Sequence, residues 1–365
     1  MPRNLICATD GGPVPAVVRL LREILLVCAV LASAACQSAD VVVEAETGQL
    51  LYPEPPETTR YRYVFELRKS TDIQPLSSTD KLLELATNTT SMEYRFLKPF
   101  GIAARAGRVF VSDSLLKVVH VYDVPRRRYF QFGLRREGAL KQPLGLDVDQ
   151  HNQVYVADGI ARRVIVFDTL GLYLRDIGGE TNNFAHPIAV ACNKAGDRVY
   201  VLDNPGIDSD QHRVLMFDGE GAYLGTIGRR GSAPGEFNLP RDLTVGPDGT
   251  LFVLDGGNFR VQAFDPDGNF LFAWGAAGNR PGQFARGRAI ATDDAGHVFV
   301  TDATFGNIQI FTDQGQLLMA MGRVGYDDLP GNFAMIAGIA ADELGQVYAV
   351  DQVFKRVSIF APEKS

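Results

Sequence analysis

Apolar residues alternate with polar ones through most of the chain in runs of four to seven, the period of a half-buried or buried β-strand rather than of a helix. The pattern recurs. A hydrophobic pair ending in aspartate marks each copy, at Asp113, Asp158, Asp203, Asp255, Asp302 and Asp351, with spacings of 45, 45, 52, 47 and 49 residues. A period of this length holds four short strands with their turns and predicts propeller blades, six in number. In the fourth copy the strands are expected at Asp242 to Val245, Leu251 to Leu254, Arg260 to Phe264 and Asn269 to Trp274. The turns between them, Gly246-Pro247-Asp248-Gly249 and Asp265 to Gly268, use proline to preset φ and glycine to supply positive φ. The other copies follow: Val154 to Asp158 leads to Arg163 to Phe167, Phe299 to Asp302 to Asn307 to Phe311, and Tyr348 to Asp351 to Arg356 to Phe360.

In the second, fourth and sixth copies an arginine (Arg163, Arg260, Arg356) stands five residues after the aspartate. The fifth has Asn307, and the first shifts its basic residue to Lys117. The repeated arginines are expected to pair with loop aspartates or carbonyls, within or between blades. Glycines at 133, 178, 228, 275 and 322 end the outer strands, where a turn needs permissive φ.

On these residues the chain resembles the NHL-repeat family of propellers, with Asn258-Phe259-Arg260-Val261 the closest match and Arg162 to Asp168 and His212 to Asp218 similar. The resemblance spans about residues 96 to 361. It implies an all-β, six-bladed propeller of four-stranded blades and by itself no reaction.

The last copy stops after its third strand, so one blade lacks an outer strand. The alternating stretch Tyr61 to Leu67 is expected to supply it as a clasp, giving a propeller over residues 60–361 with its closing strand at 60–68. Ahead of it, residues 36–59 are expected to be a proline-rich spacer, because Leu51-Tyr52-Pro53-Glu54-Pro55-Pro56-Glu57 cannot form regular ladders. Between clasp and first blade, Asp80 to Leu85 is expected to form one or two helical turns.

At the N-terminus Arg19 and Arg22 precede the apolar run Ile24 to Ala32, then Ser33-Ala34-Ala35-Cys36. This is similar to a bacterial lipoprotein signal covering residues 1–35, with Cys36 lipid-modified as the first mature residue and the protein exported to the cell envelope. Ser33 stands where the lipobox usually has leucine. The alternatives are a short membrane anchor and plain secretory cleavage, although the run is short of the 20 or so residues a span needs.

Composition trims the field. Formal charge is −7; residues 1–35 hold three arginines and two acids, so the remainder carries −8, which argues against bulk nucleic-acid binding. The run Arg126-Arg127-Arg128 reads as a solvated turn. Of the four cysteines only Cys192 would remain unmodified after processing, in the inner-strand pattern Ala189 to Cys192, and reads as a small buried side chain. No haem motif is present and no cofactor is expected.

An enzyme is the alternative. Six-bladed relatives in fold include metal-dependent lactonases and a lyase with metal-bound histidines. Here the five histidines, at 120, 151, 186, 212 and 297, fall at different phases of the repeat, where convergence on one ion is difficult. In the insertion Asn204 to Gln211, Asp208 and Asp210 are weak candidates for calcium.

Topology favours binding instead. Loops between second and third strands share a face with the connections leading into each inner strand, where Phe100, Leu144, Ile188, Arg241, Arg288 and Ala337 occupy matching positions. A mouth part apolar and part basic suits an acidic or amphipathic protein segment. The leader around Tyr52-Pro53 resembles that of exported bacterial NHL propellers associated with multihaem cytochrome systems, which implies an envelope partner of that kind and a lipid-anchored scaffold.

Overall fold

The computed structural model describes residues 50–54, 56–87, 93–178 and 184–363, and these form a six-bladed β-propeller. The signal segment, Cys36 and most of the spacer lie outside the described residues. Each of blades 1 to 5 is a four-stranded antiparallel sheet in sequence order. In the fourth blade the strands run Asp242–Val245, Leu251–Asp255, Arg260–Phe264 and Phe270–Trp274, within a residue of the sequence expectation.

The sixth blade is completed from the other end of the chain. Its strands Ile336–Ala341, Val347–Asp351 and Arg356–Pro362 are joined by Tyr61–Leu67, which pairs antiparallel with the last of them, Leu67 opposite Val357 and Tyr61 opposite Pro362. The spacer expectation needs one correction. Leu51–Tyr52 pairs with Arg62 and Tyr61 as a fifth strand at the outer edge, because these two residues precede the prolines and keep their donors. Ser78–Thr87 forms the helix expected around Asp80 to Leu85, with Asp80 accepting from the Ser77 amide at 3.1 Å.

Apolar side chains of the alternating strands meet between blades, giving one cluster at each of six interfaces. The innermost strands pack with almost no room to spare. A Cβ on Gly101 would lie 2.5 Å from the Leu144 carbonyl oxygen, and one on Gly145 would lie 2.7 Å from Ala189 Cα. Gly228 (φ +76°) and Gly275 (φ +99°) end outer strands in the left-handed region, as their type allows. Among the described residues no helix is long and apolar enough to cross a membrane.

Candidate functional site at the ring mouth

The repeated aspartates are structural staples. Asp302 accepts the amides of Ala285 and Arg286 (2.8 and 2.9 Å) and of Thr304 (2.8 Å), so one carboxylate ties the link into the inner strand to the loop after the second strand. Asp158 binds the amides of Gln142 and Ala161, and Asp351 those of Ala334 and Val353, in the same way. The arginines divide. Arg213 and Arg260 pair with their loop aspartates, Asp203 and Asp255, at 3.0 and 2.9 Å. Arg163 instead pairs with Asp176 on the outer strand, and Arg356, fully buried, reaches Glu66 of the clasp (3.1 Å) and Asp328 (3.0 Å).

These staples fix the rim of a central channel of about 140 Å³ lined by inner strands of all six blades. Phe100, Ile188, Arg241, Arg288 and Ala337 line it; Leu144 is buried within its blade and does not. Five of the six matching positions lie on the inner strands rather than before them, with only Arg241 just outside. Its stem crosses Gly256, where a Cβ would sit 2.7 Å from Arg241 Cγ.

Arg241 and Arg288 have no carboxylate partner among the described residues. Burial lowers the pKa of both, and like charge adds to it: Arg286 presses on Arg241, and Arg241 and Arg286 on Arg288. Arg286 was missed in the sequence because only one position per blade was read, yet it stands two residues before Arg288 and shares its field.

Deeper in the channel are two carboxylates that the sequence reading also passed over. Asp147 accepts from the amides of Val148 (2.8 Å) and Cys192 (2.9 Å) of the next blade; Asp242 accepts from Leu243 (2.9 Å) and Ile290 (3.0 Å) in the same geometry. Neither has a cationic partner among the described residues. Each keeps some exposure to the channel but is otherwise enclosed by protein, and burial pushes Asp147 up to about 6 and Asp242 to about 7. Cys192, beside Asp147, is pushed well up by burial and by that carboxylate, so its thiol stays protonated and is no nucleophile.

A measurable consequence follows for stability. Between the unfolded carboxyl range near pH 4 and the raised native values, the folded state binds more protons, so these two groups lower stability as pH rises from about 4 to about 7. The Asp147→Asn, Asp242→Asn variant should melt a few degrees above the parent at pH 8, with the gap closing towards pH 4. Parallel melting curves at both pH values would contradict this.

His151 is exposed, 3.5 Å from Gln150, and the other four histidines are engaged locally. His120 sits with Tyr129 (2.6 Å), His186 with the Gly159 carbonyl, His212 between the Gly206 carbonyl and the Leu239 amide, and His297 with Asp293 (2.7 Å). Asp208 and Asp210 are exposed, Asp210 lying 3.7 Å from Arg230. Among the described residues no three His, Cys, Asp or Glu side chains converge as a metal-binding group.

With blade order, closure and repeat geometry in place, a family model for the NHL repeat matches residues 237–264, the fourth-blade segment that opens on Phe237. The chain is a six-bladed β-propeller with an NHL repeat. No curated protein sequence matches it. Solved structures similar to this propeller include a protein of unknown function from Bacteroides thetaiotaomicron (17% identity, TM-score 0.58, covering 73% of this chain and 70% of that one). A gluconolactonase from Xanthomonas campestris is similar at 15% identity (TM-score 0.55, 73% and 87% covered). Kuenenia stuttgartiensis hydrazine synthase is similar at 13% (TM-score 0.53, 75% and 86% covered). At such identities the likeness is one of fold, and chemistry has to be argued from this propeller's own residues.

Proposed function

We propose that this NHL propeller is a non-catalytic binding protein of the bacterial cell envelope, lipid-anchored through Cys36. It docks an acidic or amphipathic segment of a partner, one belonging to a cytochrome-type respiratory system, at the ring mouth. The observation that carries the reading is the pair Arg241 and Arg288, both on the channel and both without an ion-pair partner among the described residues. Arg241 is exposed at the rim and Arg288 half-buried, and like charges held close together without counter-charges prepare a surface for negative charge arriving from outside. Phe100, across the mouth on blade 1, and Ile188, beside Arg241 on blade 3, offer apolar contact to the same segment.

The test is capture from solubilised membranes by the full-length protein and by an Arg241→Glu, Arg288→Glu variant of equal thermal stability. A partner retained by the parent and lost at least tenfold in the variant supports docking; equal capture overturns it. Intact mass of the purified protein reports whether Cys36 carries lipid.

A further inference from the structure

Around the mouth two residue positions alternate in every blade. One is Phe100, Leu144, Ile188, Arg241, Arg288 and Ala337; two residues earlier stand Lys98, Gln142, His186, Leu239, Arg286 and Met335. Neither ring contains a carboxylate, although acids outnumber bases in the whole chain by 43 to 36. Three of its four permanent cations, Arg241, Arg286 and Arg288, fall in one sector, on blades 4 and 5.

The opposite mouth is built differently. There Lys194 of blade 3 pairs with Asp294 of blade 5 at 2.8 Å, bridging past blade 4, and Glu343 of blade 6 accepts the Ala106 amide of blade 1 at 2.8 Å. Charges at that end brace the ring. The three arginines brace nothing: none makes an ion pair or a side-chain hydrogen bond among the described residues, whereas Arg163, Arg213, Arg260 and Arg356 all do.

We infer that the Arg241–Arg286–Arg288 sector is a binding site for a compact multivalent oxyanion, a ligand with two or three carboxylate or phosphoryl groups close together. Planar guanidiniums present paired donors that match such oxygens two at a time, and three cations in one sector favour ligands with more than one negative charge. Arg241 and Arg288 line a channel of about 140 Å³, well below the 300 Å³ or more typical of drug-sized ligands, and Arg286 stands exposed outside it, so the site selects small ions or a single inserted acidic group. Asp147 and Asp242 face the same channel, but each accepts from the next amide of its own strand and from one amide of the neighbouring blade, and neither pairs with an arginine among the described residues. The inference shares the mouth with the docking reading and rests on it only for the choice of face.

The experiment is isothermal titration and thermal unfolding of the whole protein with citrate, pyrophosphate, acetate and spermine, alongside an Arg286→Gln, Arg288→Gln variant. Saturable binding of citrate or pyrophosphate is expected, with a melting temperature raised by a few degrees at a hundredfold excess over the dissociation constant, a weaker effect of acetate and none of spermine. In the variant, whose fold is checked by its own melting curve, affinity should fall at least tenfold. An acidic peptide that binds while the small ions do not would assign the site to a partner segment alone and overturn the inference, leaving docking intact. Absence of saturable binding, or equal affinity in the variant, would overturn it as well. Arginine-dependent capture of a partner would still test docking separately.

Discussion

Deleting residues 60–68 should abolish cooperative folding of the propeller. The segment gives the last blade its outer strand, with Leu67 fully buried and Tyr61 nearly so, and it donates Glu66 to buried Arg356. Burying each large side chain is worth about 1.5–3 kcal/mol, and loss of Glu66, which leaves buried Arg356 with Asp328 as its remaining ion-pair partner, costs about 1.5–3 kcal/mol more. Together these approach the whole stability of an ordinary domain, about 5–15 kcal/mol. The unpaired edge of Arg356–Pro362 would also invite aggregation. Circular dichroism melting checks this: a sigmoidal transition within a few degrees of the parent would show that the ring does not need its clasp.

Arg356→Ala should be the most damaging of the repeat-arginine substitutions, destabilising by about 3–5 kcal/mol, or on the order of 10 °C in melting temperature. Arg356 is fully buried and holds four groups at once: Glu66 of the clasp, Asp328, and the carbonyls of Leu329 and Asn332. Arg68 doubles the link, reaching the same Asp328 at 2.7 and 2.6 Å. Arg356→Lys should not rescue, since one ammonium cannot reproduce a planar fork with several fixed donors. Arg163→Ala is the comparison. That side chain is partly exposed and pairs within its own blade, so its loss should cost about 1 kcal/mol. Equal losses at the two positions would mean that ring closure does not depend on Arg356.

Strand positions were legible in the sequence because period-two alternation and Gly-Pro-Asp-Gly turns act within a few residues; all of Asp242–Val245 and Arg260–Phe264 emerge where the pattern places them. The clasp was legible for a different reason, as an unmatched edge at Phe360 that required a strand from elsewhere. Partners at long range were not. Arg163 and Arg356 share a repeat position, yet one turns to Asp176 and the other to Glu66 and Asp328, because the sixth blade has a foreign outer strand. Two signals were present and unread. A carboxylate inside an apolar inner strand, as in Leu146-Asp147-Val148, marks a buried polar group needing amides or a ligand. Arg286 was visible once the positions two residues before the mouth were compared across blades.

The central claim is that the mouth arginines serve a ligand rather than the ring. It is tested most directly by the melting temperature of the Arg286→Gln, Arg288→Gln variant in anion-poor, low-salt buffer. Because these side chains press on each other and pair with nothing among the described residues, removing two of them should leave stability unchanged or raise it by a few degrees. A fall of several degrees would mean that the arginines hold the blades together, and the reading of the mouth as a binding surface would be wrong.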